Sequence, residues 1–179
     1  AADGIALAPY ARAAAALAGL PSGATLLIDP RRITHGLRQS VASDVGVVEA
    51  INPSTLAKSR KTASEAHHIR QAMEQDGAAL AEFLAWFEGA LGHETITELT
   101  IDEHVTAARA RRPGYVCPSF PTIAGFNANG ALPHYRATEE SHATICMRGT
   151  IGDGLLLIDS GGQYDCGTTD ITRVVPVGN

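Results

Sequence analysis

The sequence has no apolar run approaching the ~20 residues that a membrane-spanning helix requires. Its alanine-rich start, Ala1 to Ala18, lacks the basic flank and apolar core of a secretory signal, so it is not read as a targeting segment. Cysteine is scarce: Cys117, Cys146 and Cys166 are odd in number and show no CxxC spacing. That argues against a disulfide framework or a zinc knuckle and for reduced thiols in a cytoplasmic compartment. Positive charge is short as well. With 14 Lys and Arg against 19 Asp and Glu, the net charge of −5 has the wrong sign for a nucleic-acid surface. Internal repeats and low-complexity tracts are missing. There is no initiator methionine, and the last residues still read as strand; both features point to a piece of a longer chain.

What is present fits an ordinary globular protein, 179 residues with 45% hydrophobic and 18% charged side chains, room for one or two domains. Residues 5–18 read as a short alanine-rich helix and "ATLLID" (24–29) as a buried strand. Asp29-Pro30 opens a further helix to about Gln39, and "VGVVEA" (45–50) is a second strand. "INPST" (51–55) is loop chemistry and marks a boundary between an α/β unit, 1–53, and a second domain, 54–179.

The second domain starts on a long helix. Thr62 with Glu65 fits a capping box, Gly92 a stop, and Ile69, Met73, Leu80, Leu84, Phe87 and Leu91 share one face. That stripe is either a partner groove or, more simply, the face packed on a sheet. Gly77 inside the helix implies close packing there. Thr100 with Glu103 repeats the capping pattern for a helix ending near Arg111, and "ARARRPG" reads as a solvated basic helix end. Short strands and glycine-rich loops fill 115–147, and "GLLLIDSGGQYDCGTTDITRVVPVGN" (154–179) closes the chain as a hairpin. Helix, helix, then antiparallel sheet is an α+β order.

Each arm of that hairpin carries one aspartate where an apolar residue is expected, Asp159 and Asp170. A four-residue loop, Gln163 to Cys166, puts Gly162 opposite Gly167 and Asp159 opposite Asp170, with Thr172 and Val174 on the same face. Two carboxylates so placed repel and lose hydration, which leaves three readings: a proton-sharing acid pair, a solvated pair at the sheet end, or a cation site. As a cation site, carboxylates without thiolates favour manganese, magnesium or zinc, and two of them do not complete a shell of six oxygens. Among the histidines, His67, His68, His93 and His104 read as surface residues, and His142 has no partner by spacing. His134 follows the loop "GFNANGALPHY" and precedes the same sheet, which fits a substrate-contacting residue as well as an ordinary surface one.

"SFPTIAGFNANGALPHYRAT", "LLLIDSGGQY" and "GTTDITR" together resemble the Xaa-Pro aminopeptidases (aminopeptidase P) of the pita-bread metallopeptidase family, and 51–86 resembles the run into that family's catalytic domain. The resemblance implies an α+β fold: the first half of a pita-bread catalytic domain, preceded by the end of a creatinase-like α/β domain. It implies metal-dependent hydrolysis of the Xaa–Pro bond at a peptide's N-terminus, by two divalent ions, taken as manganese, in a homodimer. Asp159 then corresponds to a terminal ligand of one ion, Asp170 to the carboxylate bridging both, and His134 to a residue lining the substrate pocket. Thr172, on the face of Asp170, is placed to hydrogen-bond a ligand carboxylate. The family's remaining ligands, one histidine and two glutamates, follow this hairpin, beyond Asn179, so the chain is expected to hold a half-built, inactive site. The connection "CMRGTIG" (146–152) is longer than the family pattern, with no functional account. An Xaa-Pro dipeptidase and a non-catalytic peptide-binding module of the same fold are the alternatives.

Overall fold

The computed structural model describes Gly4 and residues 6–178. The chain divides into two compact units, Ala1–Lys61 and Thr62–Asn179. In the first, strand β1 (Thr25–Ile28) pairs in parallel with β2 (Gly46–Glu49), and three short helices accompany them: α1 (Ala13–Ala18), α2 (His35–Gln39) and α3 (Pro53–Ser59). The helix expected over 5–18 is shorter, although its first residue, Ile5, lies outside the described residues. Pro9 is extended (φ −57°, ψ 138°), and only a 3-10 turn at Tyr10–Arg12 leads into α1. Asp29 does not open a helix either. Its Oδ1 accepts from Arg31 N (3.0 Å) and its Oδ2 from Asn52 N (3.1 Å), a local turn that competes with helical bonding. Helix α2 starts instead at Thr34, whose hydroxyl accepts from Leu37 N. "INPST" is a helix start, with Asn52 as cap and Pro53 in the first turn of α3.

The second unit opens on α4 (Ala63–Ala90), with the Thr62–Glu65 capping box in place. Its buried face is Ala72, Asp76, Ala79, Leu80, Phe83, Phe87 and Ala90. Ile69 and Met73, placed on the core stripe by periodicity, are 36% and 41% exposed, so the stripe lies partly to one side of the true face. A side chain at Gly77 would meet nothing within 4 Å, so close packing is not its reason. Helix α5 (Glu98–Ala110) is capped by Thr97 rather than Thr100, which stands three residues in and closes the capping box itself.

Among the described residues, nine of the eleven strands lie in this unit, arranged in three small sheets. In the first, β4 (Tyr115–Pro118) and β10 (Gly167–Thr168) flank β9 (Gly162–Tyr164). In the second, β5 (Ile123–Phe126) and β11 (Ile171–Val177) flank β8 (Gly154–Ser160). In the third, β3 (Ile96–Thr97) and β7 (Thr150–Ile151) flank β6 (Thr144–Met147). The long connection at 146–152 is thereby explained as a tight β6–β7 hairpin turning at Arg148-Gly149, with Gly149 at φ +81°. One core joins the helices to the sheets: Phe83 and Phe87 of α4 and Ile101 and Val105 of α5 are buried with Ile145, Leu156 and Ile158. Among the described residues no helix is long and apolar enough to cross a membrane.

Candidate functional site

Strand β8 alternates strictly. Leu156, Ile158 and Ser160 are buried against the helices, whereas Leu155 (55% exposed), Leu157 and Asp159 point to the other face. The register of the hairpin differs from the expected one. β9 and β10 pair Gly167 with Tyr164, so the turn is the two residues Asp165 and Cys166, and Asp159 faces Thr172 rather than Asp170. The slip is two positions along the second arm; Asp170 itself precedes the ladder, and what it shares with Asp159 is a cavity. Thr172 Oγ1 donates to Asp159 Oδ1 at 2.9 Å. Neither aspartate is buried: Asp159 is half-exposed and Asp170, which immediately precedes β11, is exposed.

His134 reaches the same place from another direction. A side chain at Gly125 of β5 would come within 2.7 Å of Gly130, so glycine there lets the 3-10 turn Asn127–Ala131 fold back on the strand. The chain then passes through His134 in the left-handed region (φ +56°), uncommon for a histidine, and Tyr135 N closes the turn on Leu132 O. What holds this loop is Glu98 at the start of α5. Its fully buried carboxylate accepts from Phe126 N (2.7 Å), Ala143 N (2.8 Å), Asn129 Nδ2 (3.0 Å) and Tyr135 Oη (2.7 Å). Desolvation and then the Glu98 carboxylate push the Tyr135 phenol up to about 12.

Asp159, Asp170 and His134 line one cavity of about 320 Å³, together with Phe120, Pro121, Ile123 and Arg136. The lining thus combines three apolar residues with two carboxylates, a histidine and an arginine. Although Arg136 lines it, neither aspartate forms an ion pair among the described residues. Two hard oxygen donors that face an open cavity without a cationic partner suit a divalent ion. They are two donors and no more: among the described residues no three His, Cys, Asp or Glu side chains converge to hold a metal. His67, His68 and His93 are exposed, His104 stacks on Trp86 with ring centroids 3.5 Å apart, and His142 bonds Thr138 O; none lines the cavity.

The basic cluster at the end of α5 is a solvated end only in part: Arg111 is exposed, but Arg109 is not. Arg109 is buried and paired with Asp76 (Nε to Oδ1, 2.5 Å), because a guanidinium enters a core only with its charge matched. Arg111 and Arg112 both bond Glu82 of α4, and the two guanidinium groups hold its carboxyl below the usual range. Sequence reasoning passed over Asp76 and Glu98. Asp76 left a trace, since it lies seven residues after Ile69 and four before Leu80, a charge in phase with an apolar stripe. Glu98 left none.

This α+β unit presents a carboxylate hairpin to one cavity, and similarity to known proteins says which family builds it. The chain belongs to metallopeptidase family M24, whose model matches residues 67–179, and its mixed α+β fold is related to the pita-bread fold of those enzymes. It is 36% identical to Xaa-Pro aminopeptidase 1 of Dictyostelium discoideum over 98% of this chain and 28% of that protein. Against Xaa-Pro aminopeptidase 2 of Rattus norvegicus the identity is 33%, over 84% of this chain and 22% of the other. The crystal structure of X-prolyl aminopeptidase from Caenorhabditis elegans, described as a cytosolic enzyme with a di-nuclear active site, superposes with a TM-score of 0.75 at 27% identity, covering 93% of this chain and 28% of that one. The chain thus spans between a fifth and a third of the length of these relatives.

Proposed function

We propose that these residues belong to a metal-dependent aminopeptidase that hydrolyses the Xaa–Pro bond at the free N-terminus of a peptide. The observation that carries this reading is the meeting of Asp159, Asp170 and His134 at one cavity in a chain of family M24. Residues 54–179 are read as the first half of the catalytic domain and 1–53 as the end of a creatinase-like α/β domain, a reading supported by the parallel β1–β2 pair. Asp159 and Asp170 would both serve as carboxylate ligands to a pair of divalent ions, manganese by first choice. When bound, such ions acidify the attacking water and polarise the scissile carbonyl.

The chain's own side chains do the rest. Thr172 donates to one oxygen of Asp159, which fixes the carboxylate's rotation and leaves its second oxygen for an ion. His134, held on a turn and lining the cavity, would orient the peptide and hydrogen-bond its carbonyl region. Phe120, Pro121 and Ile123 offer an apolar wall to a proline ring, which has no amide hydrogen to satisfy and a fixed φ. The di-nuclear, cytosolic C. elegans enzyme supports the two-ion and cytoplasmic assignments, and a homodimer is proposed with them. The 179 residues alone are proposed to be inactive, since two carboxylates cannot complete two coordination shells.

The test is cleavage of an Xaa-Pro-Zaa tripeptide with added manganese, by the protein from the full reading frame and by its Asp170→Asn variant. Release of the first residue by the wild type, reduced by several orders of magnitude in the variant, is the expected outcome. A folded, metal-loaded full-length protein that releases nothing overturns the aminopeptidase reading and leaves a peptide-binding module. Cleavage confined to Xaa-Pro dipeptides moves it to a dipeptidase.

A further inference from the structure

A second buried acid, which the proposed chemistry does not use, stands behind the hairpin. Asp76 of α4 is 0% exposed, and Arg109, Tyr164 and Thr169, which surround it, are each 1% exposed. Asp76 Oδ1 accepts from Arg109 Nε (2.5 Å) and Tyr164 Oη (3.2 Å), and Oδ2 from Arg109 Nη2 (3.3 Å) and Thr169 Oγ1 (2.5 Å). An ion pair needed only to join α4 to α5 would stop at Arg109. This one extends to the residue immediately before Asp170.

Thr169 has every polar group engaged. Its hydroxyl donates to Asp76 and accepts from Gly162 N (2.8 Å). Its own N–H donates to Gly162 O (2.9 Å), and its carbonyl accepts from Ser119 Oγ (2.8 Å). The approach is so close that a side chain at Gly161 would lie 2.0 Å from Thr169 O and 2.4 Å from Ser119 Oγ, which accounts for a glycine at that position of the "SGGQY" motif. Asp170 lies outside the strand ladder and is exposed, so its backbone is located by what holds Thr169 on one side and β11 on the other.

We propose that Asp76, charge-matched by Arg109, is a positioning residue for Asp170: through Thr169 it sets the backbone from which that carboxylate enters the cavity, and so sets the affinity for a divalent ion it never touches. The inference rests on the metal-site reading above. It concerns buried side chains of α4, α5 and the hairpin link, none of which lines the cavity.

The experiment uses the full-length protein, with Mn²⁺ affinity measured by titration calorimetry and the visible absorption of the Co²⁺-loaded form as a probe of ligand geometry. Thr169→Val removes the donor to Asp76 and the acceptor for Gly162 N at nearly constant volume. It is expected to weaken Mn²⁺ binding by about 10–100-fold and to shift the Co²⁺ bands. Thr169→Ser, which keeps the hydroxyl, is expected to restore both, whereas a purely structural loss would not track the hydroxyl. Ser119→Ala breaks only the bond to Thr169 O and is expected to weaken binding less; it decides the matter where Thr169→Val does not fold. Wild-type Mn²⁺ affinity and an unshifted spectrum in the folded variants overturn the proposal. A wild type that binds no divalent ion sinks the metal-site reading itself, and this inference with it.

Discussion

At the scale of the residue, the unit that holds the cavity depends on two buried carboxylates with opposite means of support. Asp76 is matched by a guanidinium, whereas Glu98 is held by dipoles alone: two backbone amides, an asparagine amide and a phenol. Glu98→Gln turns an acceptor into a donor facing these donors, and is expected to lower the unfolding free energy by about 1–3 kcal/mol in urea titration. Tyr135 adds a pH dependence. Burial and Glu98 disfavour its phenolate in the folded state, so its pKa there, about 12, lies above the ~10 of the unfolded chain. Its contribution is complete below pH ~10 and is lost as pH rises toward 12. Stability measured from pH 9 to 12 should fall along this limb, to which Tyr164 and Tyr115, also raised by burial, add their share. Tyr135→Phe should make it shallower while starting from a lower value.

At the scale of the element, α4 carries both the core and the support of the hairpin. Phe83 is 1% exposed and central, whereas Met73 is 41% exposed. Phe83→Ala is therefore expected to cost about 3–5 kcal/mol and Met73→Ala within about 0.5 kcal/mol, by denaturant midpoints. The reverse order would restore the stripe through Ile69 and Met73. Asp76→Ala strands a buried guanidinium and is expected to cost about 3–5 kcal/mol, the larger share of it from the charge left unpaired. The existence of α4 and its cap were legible because a capping box and a 3.6 period are local signals. Its exact face was not, since small residues such as Ala72 and Ala79 pack in the core without registering as hydrophobic markers. The cap of α5 was misplaced by three residues for a related reason: Thr97 and Thr100 are chemically alike, and only the chain path settles which one leaves the helix.

At the scale of the whole molecule, the chain is two compact units, and the segment between α3 and α4 is exposed and irregular. Brief digestion with a protease of broad specificity should cut first around Arg60–Thr62, read by mass spectrometry. First cuts around Ile51–Asn52 would instead put the boundary before α3, where the loop residues of "INPST" placed it. The outer face of β8 and β11 leaves Leu155 and Val174 each 55% exposed beside the two aspartates. The hairpin thus presents apolar surface along the strands and carboxylates at their ends.

Which residues are candidates for the proposed chemistry was written in the chain itself. Asp159, Asp170 and His134 stand in short motifs whose composition resembles one family. The tertiary structure alone decided the rest. It set the two-residue turn that puts Thr172 opposite Asp159 and brought His134 to the cavity. It also recruited Asp76 and Glu98 from helices 94 and 36 residues away, as the numbering gives, from Asp170 and His134. Local pattern reports propensity and periodicity. A buried hydrogen-bond network forms only once separate elements exclude water from the same point, and nothing in the order of the residues records that meeting.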